Sequence, residues 1–242
     1  MKVASPSVSI VLLGKFRPDN FLPDKLAEAK LITRKVAESV SYITLFPGIQ
    51  VNFRFAWGDL LVQQDRFQIV TTEAPYIRVC DFALKALSDL APDATVTAFG
   101  INRDGHYDLG SVEARNKLGT RLAPPEAWGP WGAKLRKSME GKTKGTPMQG
   151  GVVHVQMRLP LLDDGITGWL DVTAMPSVVI ANARGAYFRA NHHHQAAPRA
   201  SEIQKVDEKP SDITTRLLAR LSDRFEQSIA DSESIFKEVI GS

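Results

Sequence analysis

The sequence predicts an α+β protein: mostly antiparallel sheet with packed helices, closed by a long C-terminal amphipathic helix. Three observations carry that reading. Val51, Phe53, Phe55 and Trp57 alternate with Asn52, Arg54 and Ala56, and Val153, Val155, Met157 and Leu159 alternate with Val152, His154, Gln156 and Arg158. A period of two marks a strand with one buried face. The strands are joined by short turn sequences, which implies hairpins rather than the βαβ units of dinucleotide-binding folds. Last, Ile213, Leu217, Leu221, Phe225 and Ile229 recur at helical spacing, followed by Ile235, Phe236, Val239 and Ile240.

In chain order, a strand is expected from Ser7 to Phe16, stopped by the turn formers Arg17-Pro18-Asp19-Asn20. A short helix follows Pro23. The β-branched and aromatic stretch from Val36 to Leu45 reads as a strand ending at Pro47-Gly48. The strand at Val51 turns at Gly58-Asp59, and Leu60 to Val70 returns as its antiparallel partner. Pro75 suits a first helical turn, where its missing N–H costs nothing. Val79, Cys80, Ala83, Leu87 and Leu90 then form an apolar stripe. Thr95 to Ile101 is a further strand, with Asn102-Arg103-Asp104-Gly105 as its hairpin turn. Ser111 and Glu113 open a helix reaching Leu122. Strands are expected at Val152–Leu159, Thr167–Thr173 and Ser177–Phe188, the first two joined through Asp163-Asp164-Gly165.

This divides the chain into an N-terminal α+β unit (1–133), a flexible basic loop (134–150), a β-rich continuation (151–190), a polar linker (191–212) and the terminal helix (213–242). Strands followed by a helix occur twice, which admits two related halves, although no residue-level repeat stands out.

Composition narrows the function classes. The 242 residues are 43% hydrophobic, enough for one large core or two small ones. Lys and Arg number 30 against 27 acids, too even for a dedicated nucleic-acid binder. One cysteine excludes an internal disulfide and suits a reducing compartment. The run from Val8 to Leu13 is too short for a signal-peptide core, and no stretch approaches the ~20 apolar residues of a membrane span. A cytoplasmic location is expected.

Chemical motifs are weak. Gly141-Lys142-Thr143 lacks the upstream glycine of a phosphate loop, since Arg136 stands in its place. His192-His193-His194 has no cysteine or carboxylate at ligand spacing, so no metal or cofactor is expected. Cys80 lies on an apolar stripe and reads as a buried, inert thiol. Arg54, Arg66, Arg158 and His154 fall on polar strand faces, which a shared sheet could gather into an anion-binding surface. Lys134, Arg136, Lys137, Lys142 and Lys144, beside Trp128 and Trp131, offer cations for phosphates and rings for base stacking.

The expected function is non-catalytic binding or assembly, as a homo-oligomer or a subunit of a larger intracellular complex. Leu217, Leu221, Phe225 and Ile229 of the terminal helix are the expected partner contact. The alternative is nucleic-acid binding through the basic loop and the Arg-bearing strands. A third reading is an enzyme whose site assembles only in the fold, with His106 or His154 near carboxylates.

Overall fold

In the computed structural model, which describes residues 3–140, 151–163, 166–196 and 209–241, two long strands pair at the centre. They are β1 (Val3–Lys15) and β6 (Thr95–Asp108), antiparallel, with Ser9 opposite Asn102. Outward from β1 runs the meander of β5 (Arg66–Thr71), β4 (Gly58–Gln63), β3 (Gln50–Phe55) and β2 (Ser41–Phe46). Outward from β6 run β9 (Gly185–Ala196), β8 (Ile166–Pro176) and β7 (Val155–Asp163). The nine strands make one antiparallel sheet in the order β2-β3-β4-β5-β1-β6-β9-β8-β7.

The helices are α1 (Pro23–Glu28), α2 (Arg34–Glu38), α3 (Ile77–Leu90), α4 (Val112–Leu122), α5 (Gly129–Glu140) and α6 (Pro210–Gly241). Ser111 caps α4 by accepting the Ala114 N–H, which leaves one fewer unpaired donor at that terminus. Residues opposite one another in adjacent strands share a sheet face. Phe53, Leu60, Ile69, Ile10 and Ile101 therefore point the same way and are all fully buried. They form the main core with α1, α3 and the first half of α6. A second cluster joins Leu118 of α4 and Phe236 of α6 to Leu170, Ala174, Ala186 and Phe188.

The two sides of the β1–β6 seam follow a similar order, a strand, two helices, a meander and a closing helix, with four strands in one meander and three in the other. The match extends to residues on the face away from the helices. One transverse row there reads Arg54, Asp59, Val70, Ser9, Asn102, Asn191, Asp171, Arg158. Equivalent positions near each end hold a two-pronged Arg–Asp pair. Arg54 meets Asp59 at 2.7 and 2.8 Å, and Arg158 meets Asp171 at 2.7 and 2.7 Å.

Several sequence expectations are corrected. Asn102-Arg103-Asp104-Gly105 is not a hairpin turn but the middle of β6. Its polar groups are spent on neighbours: Asp104 accepts from Ser7, Tyr187 and Arg189, and Arg103 pairs with Glu233 at 3.2 Å. The linker expected from Asn191 is strand β9 as far as Ala196. Lys134, Arg136 and Lys137 lie on α5 rather than in a loop. The strand expected from Val36 starts only at Ser41, because Thr33 accepts the Val36 N–H and caps α2 first.

The terminal helix has its apolar stripe covered by its own chain. Leu217, Leu221 and Phe225 are fully buried in the main core, and Ile229 packs against it. Thr214 anchors the N-terminal end by accepting the Val96 N–H at 2.9 Å. Phe236 lodges against Tyr107 and Phe188. The weakly apolar stretch between these anchors, Ala230 to Ser234, faces polar sheet residues: Ser232 meets His192 at 3.0 Å and Glu233 meets Arg103. Among the described residues no helix is long and apolar enough to cross a membrane.

Because the sheet loses its lid without α6, Phe225→Ala should cost about 3–5 kcal/mol, as aromatic truncation in a core does. Urea unfolding should show a lowered midpoint. A midpoint within error of wild type would mean that the helix is not part of the folding unit.

Candidate functional site

Strand β9 concentrates the unusual side chains. Alternation continues from Phe188 through Ala190 to His192 and His194, so both imidazoles enter the helix side while His193 emerges on the other face. Ser232 donates its proton to the Ser228 carbonyl at 2.6 Å, so its oxygen can only accept from His192 Nε2. That fixes His192 as the Nε2–H tautomer. His194 stacks on Phe99 at 4.7 Å, and His193 stacks on Trp169 at 4.1 Å beneath Arg158. Burial lowers all three histidines from the ordinary range, and His194 falls to about 4, helped by its cationic neighbours. Beside His192 and His194 opens a cleft of about 350 Å³, walled by α6 and rimmed by Pro160, Leu161 and Ile166.

The opposite face carries a second polar cluster. Asp104 takes the Tyr187 hydroxyl at 2.5 Å, Arg189 Nε at 2.6 Å and the Ser7 hydroxyl at 3.3 Å. His106 Nδ1 lies 2.8 Å from Ser177 Oγ. Ser177, His106 and Asp104 do not form a nucleophilic relay. Ser177 Oγ accepts the Val179 and Ile180 N–H groups, and the carboxylate oxygens of Asp104 are taken by other donors. The arrangement caps a turn and pins strands together.

The ends of the sheet differ sharply. Edge strand β2, Ser41-Tyr-Ile-Thr-Leu-Phe46, has no charge and no proline, and Tyr42, Ile43, Leu45, Phe46 and nearby Ile49 are each 43–62% exposed. Edge strand β7 also exposes Met157 and Leu159, but it carries Arg158 and a mid-strand Pro160. Proline and charge on an edge block pairing with another chain. Only β7 is protected in this way. A further apolar cleft, about 230 Å³, lies between α4, α5 and residues 151–155, with Trp128 and Trp131 exposed at its mouth.

The anion-binding surface expected from Arg54, Arg66, Arg158 and His154 is not assembled. Arg54 and Arg158 stand on strands separated by six others, each occupied by its own aspartate. Arg66 donates to Gln68 on its own strand, and His154 is exposed at the tryptophan cleft. Of the basic group, Lys134, Arg136 and Lys137 share α5, where Arg136 pairs with Glu126. Lys142 and Lys144 lie outside the described residues, as does Gly141-Lys142-Thr143. Leu217, Leu221, Phe225 and Ile229 face the sheet rather than solvent. Cys80 is buried, its thiol pushed up to about 12 by burial.

Sequence reasoning missed Arg103, the histidine pair and the β2 edge. The period of two running from Phe188 into the histidines was the available signal for the pair. Nothing local marked β2 as terminal, since strand order is set by long-range pairing.

The histidines make stability depend on pH in one direction. Their folded values lie below the unfolded value near ~6.5, so between the two the unfolded chain binds more protons. Stability is therefore full above ~6.5 and falls as pH drops towards the folded values, about 4 for His194. Thermal melts should show this loss, and His194→Gln should flatten it. An unchanged slope in the variant would contradict the assignment.

No family model and no curated protein matches this chain.

Proposed function

We propose that the protein is a non-catalytic assembly protein that self-associates by pairing the β2 edges of two copies. One observation carries this reading: a terminal strand without charge or proline, flanked by five large exposed apolar side chains. An unpaired edge of this composition is a template for another strand. Antiparallel pairing of a strand with its own copy is two-fold symmetric and closes without leaving the contact surface over.

Area supports the reading. At ~200 Å² for a large side chain, the five exposures come to roughly 500 Å² per copy. A symmetric pair could bury at most roughly 1,000 Å² from these residues, about the threshold for a specific interface before backbone and neighbouring groups are added. The contrast with β7 adds direction, because only one end of the sheet is left without gatekeepers. Partner contact thus moves from the terminal helix, whose stripe is covered, to the far edge of the first half.

Light scattering coupled to size exclusion tests this. Wild type should run as a dimer, and Ile43→Lys with Phe46→Lys should run as a monomer with an unchanged fold. Met157→Lys, on the opposite edge, should leave the dimer intact. A wild-type monomer at every attainable concentration would overturn the proposal.

A further inference from the structure

The cleft beside β9 has a polarity that the assembly reading does not use. Arg224 and Asp231 both line it from α6, two helical turns apart, or about 10 Å along the axis. His194 borders it near Arg224 and His192 near Asp231. The cleft therefore has a cationic end and an anionic end, with Leu161 and Ile166 as an apolar side. His194 is 8% exposed and lines the cleft, so its ring is held against whatever occupies it. The volume, about 350 Å³, is at the lower end for small-molecule sites.

We propose that this cleft binds a small zwitterion with separated charges and an apolar body, of the kind a free dipeptide presents. The carboxylate would meet Arg224 and the His194 N–H. A guanidinium has five donors, enough to keep a partner within the protein and still receive a ligand. The ammonium would meet Asp231, which holds the Gln227 amide at 2.6 Å and has further acceptor sites. An apolar side chain would lie against Leu161 and Ile166. The site is on the helix side of the second half, whereas β2 ends the first half, so the two proposals stand or fall separately.

Calorimetry on the full chain with leucyl-alanine, its N-acetyl form and its C-terminal amide provides the test. The free dipeptide should bind, and each blocked form should bind roughly tenfold more weakly, the effect of losing one charge-assisted contact. Arg224→Gln should bind the dipeptide and its amide equally. Asp231→Asn should bind the dipeptide and its acetyl form equally, and being isosteric it serves if the arginine variant misfolds. Equal binding of all three probes to wild type, or binding of none at about 10 mM, would overturn the proposal. Either result leaves the dimer test untouched.

Discussion

The pairing of β1 with β6 is the contact on which the rest of the molecule depends. Each half-sheet on its own would end at that strand, with a row of unpaired backbone groups. Joined, the two become one nine-stranded sheet. Polar pins cross the seam on both faces. On the helix side Arg103, 3% exposed, donates to the Ser7 carbonyl and to the Asp104 carbonyl, pairs with Glu233 and lies over the Tyr76 ring. On the other face Asp104 accepts the Ser7 hydroxyl. A buried guanidinium is tolerable only when its donors are met, and here β1, β6 and α6 meet them together.

That requirement explains the uneven character of α6. An apolar stripe of uniform strength would place aliphatic groups over Arg103 and His192 and leave their donors unpaired. The helix instead is apolar where the sheet is apolar, at Leu217 to Phe225 and at Phe236, and small or charged at Ser228, Ser232 and Glu233. The weakly apolar stretch from Ala230 to Ser234 is therefore complementarity to a polar strip of sheet.

Sheet class, the α3 and α4 helices and the amphipathic terminus were legible because each rests on local periodicity. Asn102 to Gly105 was misread because residues that favour turns also serve as buried polar contacts, and only the neighbours decide which. The histidines were assigned to a linker for the same reason: their polarity is answered by Ser232, Phe99 and Trp169, distant in sequence. The recurrence of strands followed by a helix was visible in the element order. Its residue-level trace, an Arg–Asp pair in each half, appears only when register aligns Arg54–Asp59 with Arg158–Asp171. In sequence the partners are 5 residues apart in one case and 13 in the other.

A sheet joined at its centre must still end somewhere, and its two ends have been treated differently. β7 carries Pro160 and Arg158 among its exposed apolar groups, while β2 has neither proline nor charge. Amide hydrogen exchange along β2, followed as a function of protein concentration, reads this difference most directly. The account predicts that outward-facing amides of Ser41–Phe46 become protected as concentration rises, while those of β7 do not change. Equally fast exchange of β2 at every concentration would contradict it.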